Sequence, residues 1–379
     1  IKFFDSDYQV SLAWKDFEYL DSSKTDPASA GTAIATGVKT GINAVGVYLD
    51  STALETILER ANKIGKRTGI VTDMPFSNSL VSSFYAHVPN SDSIHASASE
   101  LIAFSQLNVI MGCGHPEYDN DAELSGTPNY KYISSELWDN IKNSDTLLYN
   151  GLKLQDINED GISDSWQLFN EYQDIINLKN QNSAIRVLAL PKVYESLQMK
   201  RTKTEKNQGL PTLSDMSSAA VNILNQSENG FVLVVESGAI DIASSENNSI
   251  GMLDAMSDFN STIDSIISWI DDNGSWNENL LIVTSSFETG YLTGGSFTYP
   301  RNTPENLTND FDITQLDSKN LPDMKFNSKA RTNHLVPLFA KGQGSELFET
   351  YTDEVDYYRG NYVNISEIGQ VCFNLLPEK

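Results

Sequence analysis

Any chemistry in this chain has to start from Thr25-Asp26-Pro27-Ala28-Ser29-Ala30-Gly31-Thr32-Ala33-Ile34-Ala35-Thr36-Gly37-Val38-Lys39-Thr40, which has the form of a catalytic strand-to-helix turn. Asp26 is a good N-cap, and Pro27 suits the first helical position because its missing N–H would be an orphan there. The small residues that follow let a helix pack closely. Proline has no hydroxyl, so the apex of the turn offers no nucleophile. Ser29 is the nearest substitute, but two helical positions rotate it by about 200 degrees from Pro27. Thr25 lies before the cap.

The acids come next. Asp7 follows the short apolar run Ile1-Lys2-Phe3-Phe4, and Glu236 and Asp241 follow Phe231-Val232-Leu233-Val234-Val235. An acid just past a strand end is either a metal ligand or a turn residue. Asp156-Ile157-Asn158-Glu159-Asp160-Gly161-Ile162-Ser163-Asp164-Ser165-Trp166 sets oxygen side chains at loop positions 1, 3, 5 and 9, with glycine at 6 and the backbone of Ile162 at 7. Gln167 at position 12 excludes a regular EF-hand. The loop is either a structural Ca2+ site formed by Asp156, Asn158, Asp160, Ile162 and Asp164, of the shorter kind found in extracellular bacterial proteins, or an acidic surface turn. His87, His95, His115 and His334 show none of the paired spacings of a zinc centre, so structural roles are expected for them.

These groups need a scaffold, and its rhythm is legible. Thr52-Ala53-Leu54-Glu55 reads as a capping box, with Leu54, Ile57, Leu58, Ala61 and Ile64 at helical spacing and a stop near Gly65. Thr68–Thr72 is then a strand. Phe231–Val235 is a strand of the buried type, and Met252, Met256, Phe259, Ile263, Ile266, Ile267 and Ile270 mark the core face of a long helix. Leu280–Thr284 is the next strand. Helix alternating with strand predicts an α/β fold with a central, mostly parallel sheet and helices on both faces. Residues 115–210 are more polar and read as an insertion over the sheet within one domain covering residues 1–379.

Composition narrows the partners. The 51 acidic residues against 26 basic ones give a net charge of −25, which disfavours nucleic acid and anionic membrane surfaces. No run approaches the roughly 18 apolar residues of a membrane span. Cys113 and Cys372 suggest buried free thiols rather than a disulfide framework. The start at Ile1 shows no signal core, which reads as a processed mature chain or a cytosolic one. The acidic excess and the candidate calcium loop favour an extracellular, cell-surface or periplasmic setting.

Taken together, these segments resemble the alkaline phosphatase family. The stretch around Asp26 is similar to that family's Thr-Asp-Ser-Ala-Ala-Ser-Gly-Thr-Ala-x-Ala-Thr-Gly-Val-Lys-Thr signature, and Ala86-His87-Val88-Pro89-Asn90 to its Ala-His-Val-Pro-Asn-Arg segment. Val235-Glu236-Ser237-Gly238-Ala239-Ile240-Asp241 resembles Val-Glu-Gly-Gly-x-Ile-Asp. Thr284-Ser285-Ser286-Phe287-Glu288-Thr289-Gly290 resembles Thr-Ala-Asp-His-Glu-Thr-Gly, and Arg331-Thr332-Asn333-His334-Leu335-Val336-Pro337-Leu338 resembles His-Thr-Asn-Glu-Leu-Val-Pro-Leu. The landmarks fall in family order along nearly the whole chain.

The resemblance implies a fold, and it also implies which parts of the chemistry are missing. The family hydrolyses phosphate monoesters with a serine nucleophile, two zinc ions and a magnesium. Here the nucleophile falls on Pro27. One zinc would need Asp7, Ser286 and Phe287 in place of Asp, Asp and His, and the other Asp241, Ser245 and Arg331 in place of Asp, His and His. The magnesium site would keep Asp7 and Glu236 but has Asn78 and Leu80 for its other ligands, and the phosphate-clamping arginine falls on Ser91. The interval from Asp7 to Asp26 is also shorter than in the family.

Two functions follow as expectations. The first is a catalytically inactive member kept as a structural or partner-binding component, with a protein partner or self-assembly and without zinc. In it, Arg331 supplies beside Asp241 the positive charge of a zinc ion, and Phe287 fills the volume of a lost ligand. The alternative is a phosphate or sulfate ester hydrolase with a rebuilt site, using one Mg2+ or Ca2+ at Asp7 and Glu236.

Overall fold

The computed structural model describes residues 8–22, 24–146, 153–158, 160–181, 186–297, 312–315 and 320–377. Ile1–Asp7, and with them the Asp7 expectation, lie outside the described residues, as does Glu159.

The central sheet is parallel and five-stranded. Its strands are β1 (Arg67–Pro75), β2 (Val109–Cys113), β3 (Gln167–Phe169), β4 (Val187–Ala189) and β5 (Phe231–Glu236), in the order β3-β4-β2-β1-β5. Helices pack on both faces. On one side Leu58, Leu101, Trp138 and Leu190 belong to a core that also takes Val232 and Val234 of β5. On the other, Val71, Met111, Met216 and Ile223 belong to a core that takes Leu233 and Val235. The alternation of one strand's side chains between two apolar layers explains why β5 reads as an unbroken apolar run.

After β5 the chain continues through the helices Ala239–Ser245 and Ser249–Asn273 into β6 (Leu280–Thr284). It then forms short ribbons from β7 (Glu288–Thr289), β8 (Leu292–Gly294), β9 (Met324–Phe326), β10 (Arg331–Thr332) and β11 (Leu338–Gly342). Antiparallel pairs join β6 with β11, β7 with β10 and β8 with β9.

Two readings of the sequence are corrected. The capping box before β1 lies one turn later than Thr52–Glu55. The Thr56 hydroxyl accepts from Glu59 N at 3.2 Å, and the Glu59 carboxylate accepts from Thr56 N at 2.8 Å, so the helix runs Ile57–Lys63. Glu55 is engaged instead by Arg60 and Lys63. Residues 115–210 are not simply laid over the sheet, because β3 and β4 from this stretch are its outer strands. Arg186 is the reason a polar segment can do this. Fully buried and stacked 4.1 Å over Trp166, it donates to the carbonyls of Ser105 at 2.6 Å and Asp164 at 3.1 Å. Its charge is thus held by backbone oxygens, and no ion pair is needed to admit it to the core.

The opening stretch forms the helix Pro27–Thr36, closed at its end by Gly37 at φ 72°. It packs against the helix Ile365–Leu375 so tightly that a Cβ on Gly369 would stand 2.4 Å from Gly37 N.

Candidate active-site cavity

A cavity of about 350 Å³ opens between the cap of the helix Pro27–Thr36, the helix Ala239–Ser245 and the β7–β10 ribbon. Lys24, Thr25 and Asp26 line one side, and Asp241, Ser245, Thr289 and Arg331 the other.

The Pro27 turn is internally complete. The Asp26 carboxylate accepts from Ala28 N at 2.9 Å and Ser29 N at 3.2 Å, satisfying donors that a helix start leaves open. The buried Ser29 hydroxyl donates to the same carboxylate at 2.5 Å and lies 3.0 Å from Thr25 Oγ1. Ser29 is thus turned into the cap, and neither hydroxyl is presented as a free nucleophile.

Across the cavity, the turn after β5 starts the helix Ala239–Ser245, which carries Asp241 in its first turn and Ser245 at its end. The β7–β10 ribbon sets Arg331 directly opposite Thr289. The Arg331 guanidinium donates to Asp241 Oδ2 at 2.7 Å, and the Thr289 hydroxyl donates to Asp241 Oδ1 at 2.6 Å, so both carboxylate oxygens are engaged by the protein. Arg331 also lies 4.8 Å over the Phe287 ring. Ser245 turns its hydroxyl back to the Ile242 carbonyl at 2.8 Å.

These donors do not fit a zinc ion. A guanidinium offers no lone pair and repels a cation, Phe287 has no donor atom, and the Asp241 oxygens are already taken by the Arg331 guanidinium and the Thr289 hydroxyl. The remaining positions are used locally. Asn78 caps the short helix Ser79–Ser82 by accepting from Ser79 N at 3.0 Å, Leu80 is a half-buried residue of that helix, and Ser91 binds the Asn43 carbonyl through its N–H at 2.9 Å.

Glu236 ends β5 level with Thr72 of β1, whose hydroxyl donates to it at 2.6 Å. Removal from water pushes its carboxyl up to about 7. The neighbouring Asp73 is buried and likewise pushed up to about 7 by desolvation, against the hydrogen bonds it accepts from Ser237 Oγ at 3.0 Å and Ala239 N at 3.1 Å. Asp73 therefore braces the turn between Glu236 and Asp241. Sequence reasoning missed it by ending the strand at Thr72; an acid within an apolar run was the available signal. Lys24, Lys329 and Thr289 carry no pattern of their own and become neighbours only through the ribbon and the first loop.

The other motifs stand apart. In the acid-rich loop, Asp156 accepts from the N–H groups of Asp160 and Gly161, Asp160 from that of Ile162, and Asp164 from that of Ile157. Among the described residues, no three His, Cys, Asp or Glu side chains are arranged to hold a metal ion. His95 Nε2 lies 2.6 Å from the Tyr130 carbonyl. His115 packs edge-on to Trp138, and His334 to Trp14, both with the imidazole pKa driven down by burial. Cys113 is buried, Cys372 half-buried, and both are free thiols.

A family model described as alkaline phosphatase matches residues 10–335. Alkaline phosphatase 4 of Bacillus subtilis is 25% identical over 286 residues, which cover 73% of this chain and 52% of that protein. The Schizosaccharomyces pombe alkaline phosphatase is 28% identical over 277 residues, 72% of this chain and 47% of that protein. The chain thus spans about half the length of the curated relatives it matches. The structure of the alkaline phosphatase from the Antarctic bacterium TAB5 superposes with a TM-score of 0.63 at 20% identity, covering 99% of this chain and 92% of that one. A cold-active alkaline phosphatase from Shewanella sp. gives 0.65 at 19% identity, covering 98% and 93%. Both share the α/β fold with its central, mostly parallel sheet. No helix among the described residues is long and apolar enough to cross a membrane.

Proposed function

The chain belongs to the alkaline phosphatase family, and from that premise we propose that it is a member without phosphatase chemistry, retained as a structural or partner-binding component. The ion pair between Arg331 and Asp241 carries this reading. In the family these positions hold a cation between them; here one of them is the cation, and the carboxylate is neutralised without a metal. Pro27 at the nucleophile position, the hydroxyl of Ser245 turned to its own helix and the ring of Phe287 under Arg331 support the same reading. The acidic surface fits an extracellular, cell-surface or periplasmic setting, where the partner would be a protein and not a nucleic acid.

Elemental analysis of the purified protein, combined with phosphomonoesterase, phosphodiesterase and sulfatase assays in added Zn2+ and Mg2+, tests it. The expected result is less than stoichiometric zinc and no turnover above buffer. Stoichiometric zinc, or turnover abolished by Asp241→Asn, would overturn the proposal in favour of a rebuilt hydrolase.

A further inference from the structure

The stretch between β4 and the helix Leu213–Leu224 holds the densest group of basic residues in an acidic chain. Lys200-Arg201-Thr202-Lys203-Thr204-Glu205-Lys206 carries four of the 26 lysines and arginines, more than any other seven consecutive positions, against a net charge of −25. In the comparable group before the first strand, Arg60 and Lys63 lie within the helix Ile57–Lys63 and Arg67 opens β1, so their backbone is committed to regular structure. Here the backbone forms neither helix nor strand, and every residue from Thr202 to Lys206 is exposed.

This loop is anchored at its ends and loose between them. The Asp121 carboxylate accepts from the N–H groups of Thr202 at 2.8 Å and Lys203 at 3.3 Å, and from the Thr202 hydroxyl at 2.5 Å. At the other end Asn207 is buried, and its amide donates to the carbonyls of Asn120 at 2.9 Å and Leu197 at 3.2 Å. The N–H groups of Thr204, Glu205 and Lys206 make no hydrogen bond to any described residue. Lys203 pairs with Glu123 and Lys206 with Asp254, all four side chains 45% exposed or more, and such pairs contribute little and yield to a competing charge. Arg201 is instead bent back onto the carbonyls of Gln198 and Thr204.

We propose that the bond between Lys203 and Thr204 is a processing site for a Lys/Arg-specific endoprotease, and that the cut chain stays assembled. Exposed polar loops are where folded chains are nicked. An endoprotease holds its substrate extended, with about three residues on each side of the cut, and residues 201–206 supply that length without unravelling a helix or strand. Lys203 is the residue selected for the protease's acidic pocket, because Arg201 is turned inward and Lys206 is followed by the buried Asn207. Hydrolysis breaks the C–N bond between residues 203 and 204: one water adds across it, its oxygen leaving a carboxylate on Lys203 and its protons an ammonium on Thr204. Both sides of the cut then remain joined by β1 and β5, paired from Arg67 with Phe231 to Thr72 with Glu236, by the Asn207 amide and by the ion pair of Lys200 with Glu246. No residue of the cavity takes part, so this site and the non-catalytic reading stand or fall separately.

Limited digestion of the folded chain with trypsin tests the site, the cuts being assigned by mass spectrometry and the products run on gel filtration without denaturant. The bond after Lys203 is expected to be cut on the order of 100-fold faster than those after Arg60, Lys63 and Arg67, whose exposure requires opening of a helix or of the sheet. In the urea-unfolded chain the four rates should converge, which separates exposure in the fold from preference for the local sequence. Asp121→Ala, which releases the N–H groups of Thr202 and Lys203, is expected to speed the cut after Lys203 and leave the other three unchanged. The fragments meeting at residues 203 and 204 should elute together. Three results overturn the proposal: a folded chain cut after Lys203 no faster than after Lys63, the same preference persisting in urea, or fragments that separate on the column.

Discussion

Arg331 and Asp241 are 90 positions apart in the sequence and 2.7 Å apart in the fold, the guanidinium of one donating to the carboxylate of the other. Their side chains are 35% and 26% exposed, so solvent screens part of the attraction. Arg331→Met is expected to cost about 1–2 kcal/mol in urea denaturation, below the 3–5 of a fully buried pair. Adding Asp241→Asn should recover most of the loss, because what destabilises the single variant is a carboxylate left without its cation. A double variant no more stable than Arg331→Met would show that the pair does not neutralise Asp241.

Pro27 occupies a position where its ring fits the helix start, and the cap bonds come from Asp26. Pro27→Ser should therefore change stability by less than about 1 kcal/mol while Asp26→Ala costs about 1 kcal/mol. Neither variant should acquire phosphomonoesterase activity, because Arg331 and Phe287 stand at positions where the family has zinc ligands. Measurable turnover by Pro27→Ser would contradict that expectation.

His87 sits 3.4 Å from the Glu59 carboxylate and 2.9 Å from the Leu54 carbonyl. Burial by itself would lower the imidazole pKa, but the hydrogen bond and charge of Glu59 outweigh it and raise it above the ordinary 6.5. Burial likewise opposes ionisation of Glu59, yet His87 holds its carboxyl below the ordinary 4.5. The histidine's contribution is fully present below pH 6.5 and fades as pH rises through its folded-state value; the glutamate's is present above 4.5 and fades in stronger acid. Glu59→Gln, which keeps a capping-box residue, is thus expected to destabilise more at pH 6 than at pH 9. Equal losses at both values would remove the ion pair from the account.

Read as a Ca2+ site, the loop from Asp156 to Asp164 would take the ion only by exchanging its carboxylates' bonds to backbone N–H groups for bonds to the ion. Millimolar Ca2+, the range of extracellular modules, should raise the melting temperature, and EGTA should reverse the gain. In Asp156→Asn/Asp160→Asn the response should vanish. Identical melting curves with and without Ca2+ would make the loop an acidic turn.

Much of the scaffold was legible from local pattern. The cap at Asp26, the buried-type run at 231–235, the strand at 280–284 and the periodicity of Ser249–Asn273 each follow from interactions between residues a few positions apart. The capping box moved from Thr52 to Thr56 because two overlapping patterns competed, and Glu55 was claimed by Arg60 and Lys63. The outer strands β3 and β4 escaped notice because three residues give no period to detect.

By itself, the sequence determined the family, the parallel sheet and the absence of a serine at the helix start, since each depends on residue identity at local spacing. Only the tertiary structure decided what became of the acids. Whether Asp241 met a metal, water or a cation depended on the β7–β10 ribbon delivering Arg331 from far along the chain. Likewise, the apolar run of β5 read as a buried strand, and only the tertiary structure left it half-buried, because burial of a strand belongs to its neighbours and not to its own residues.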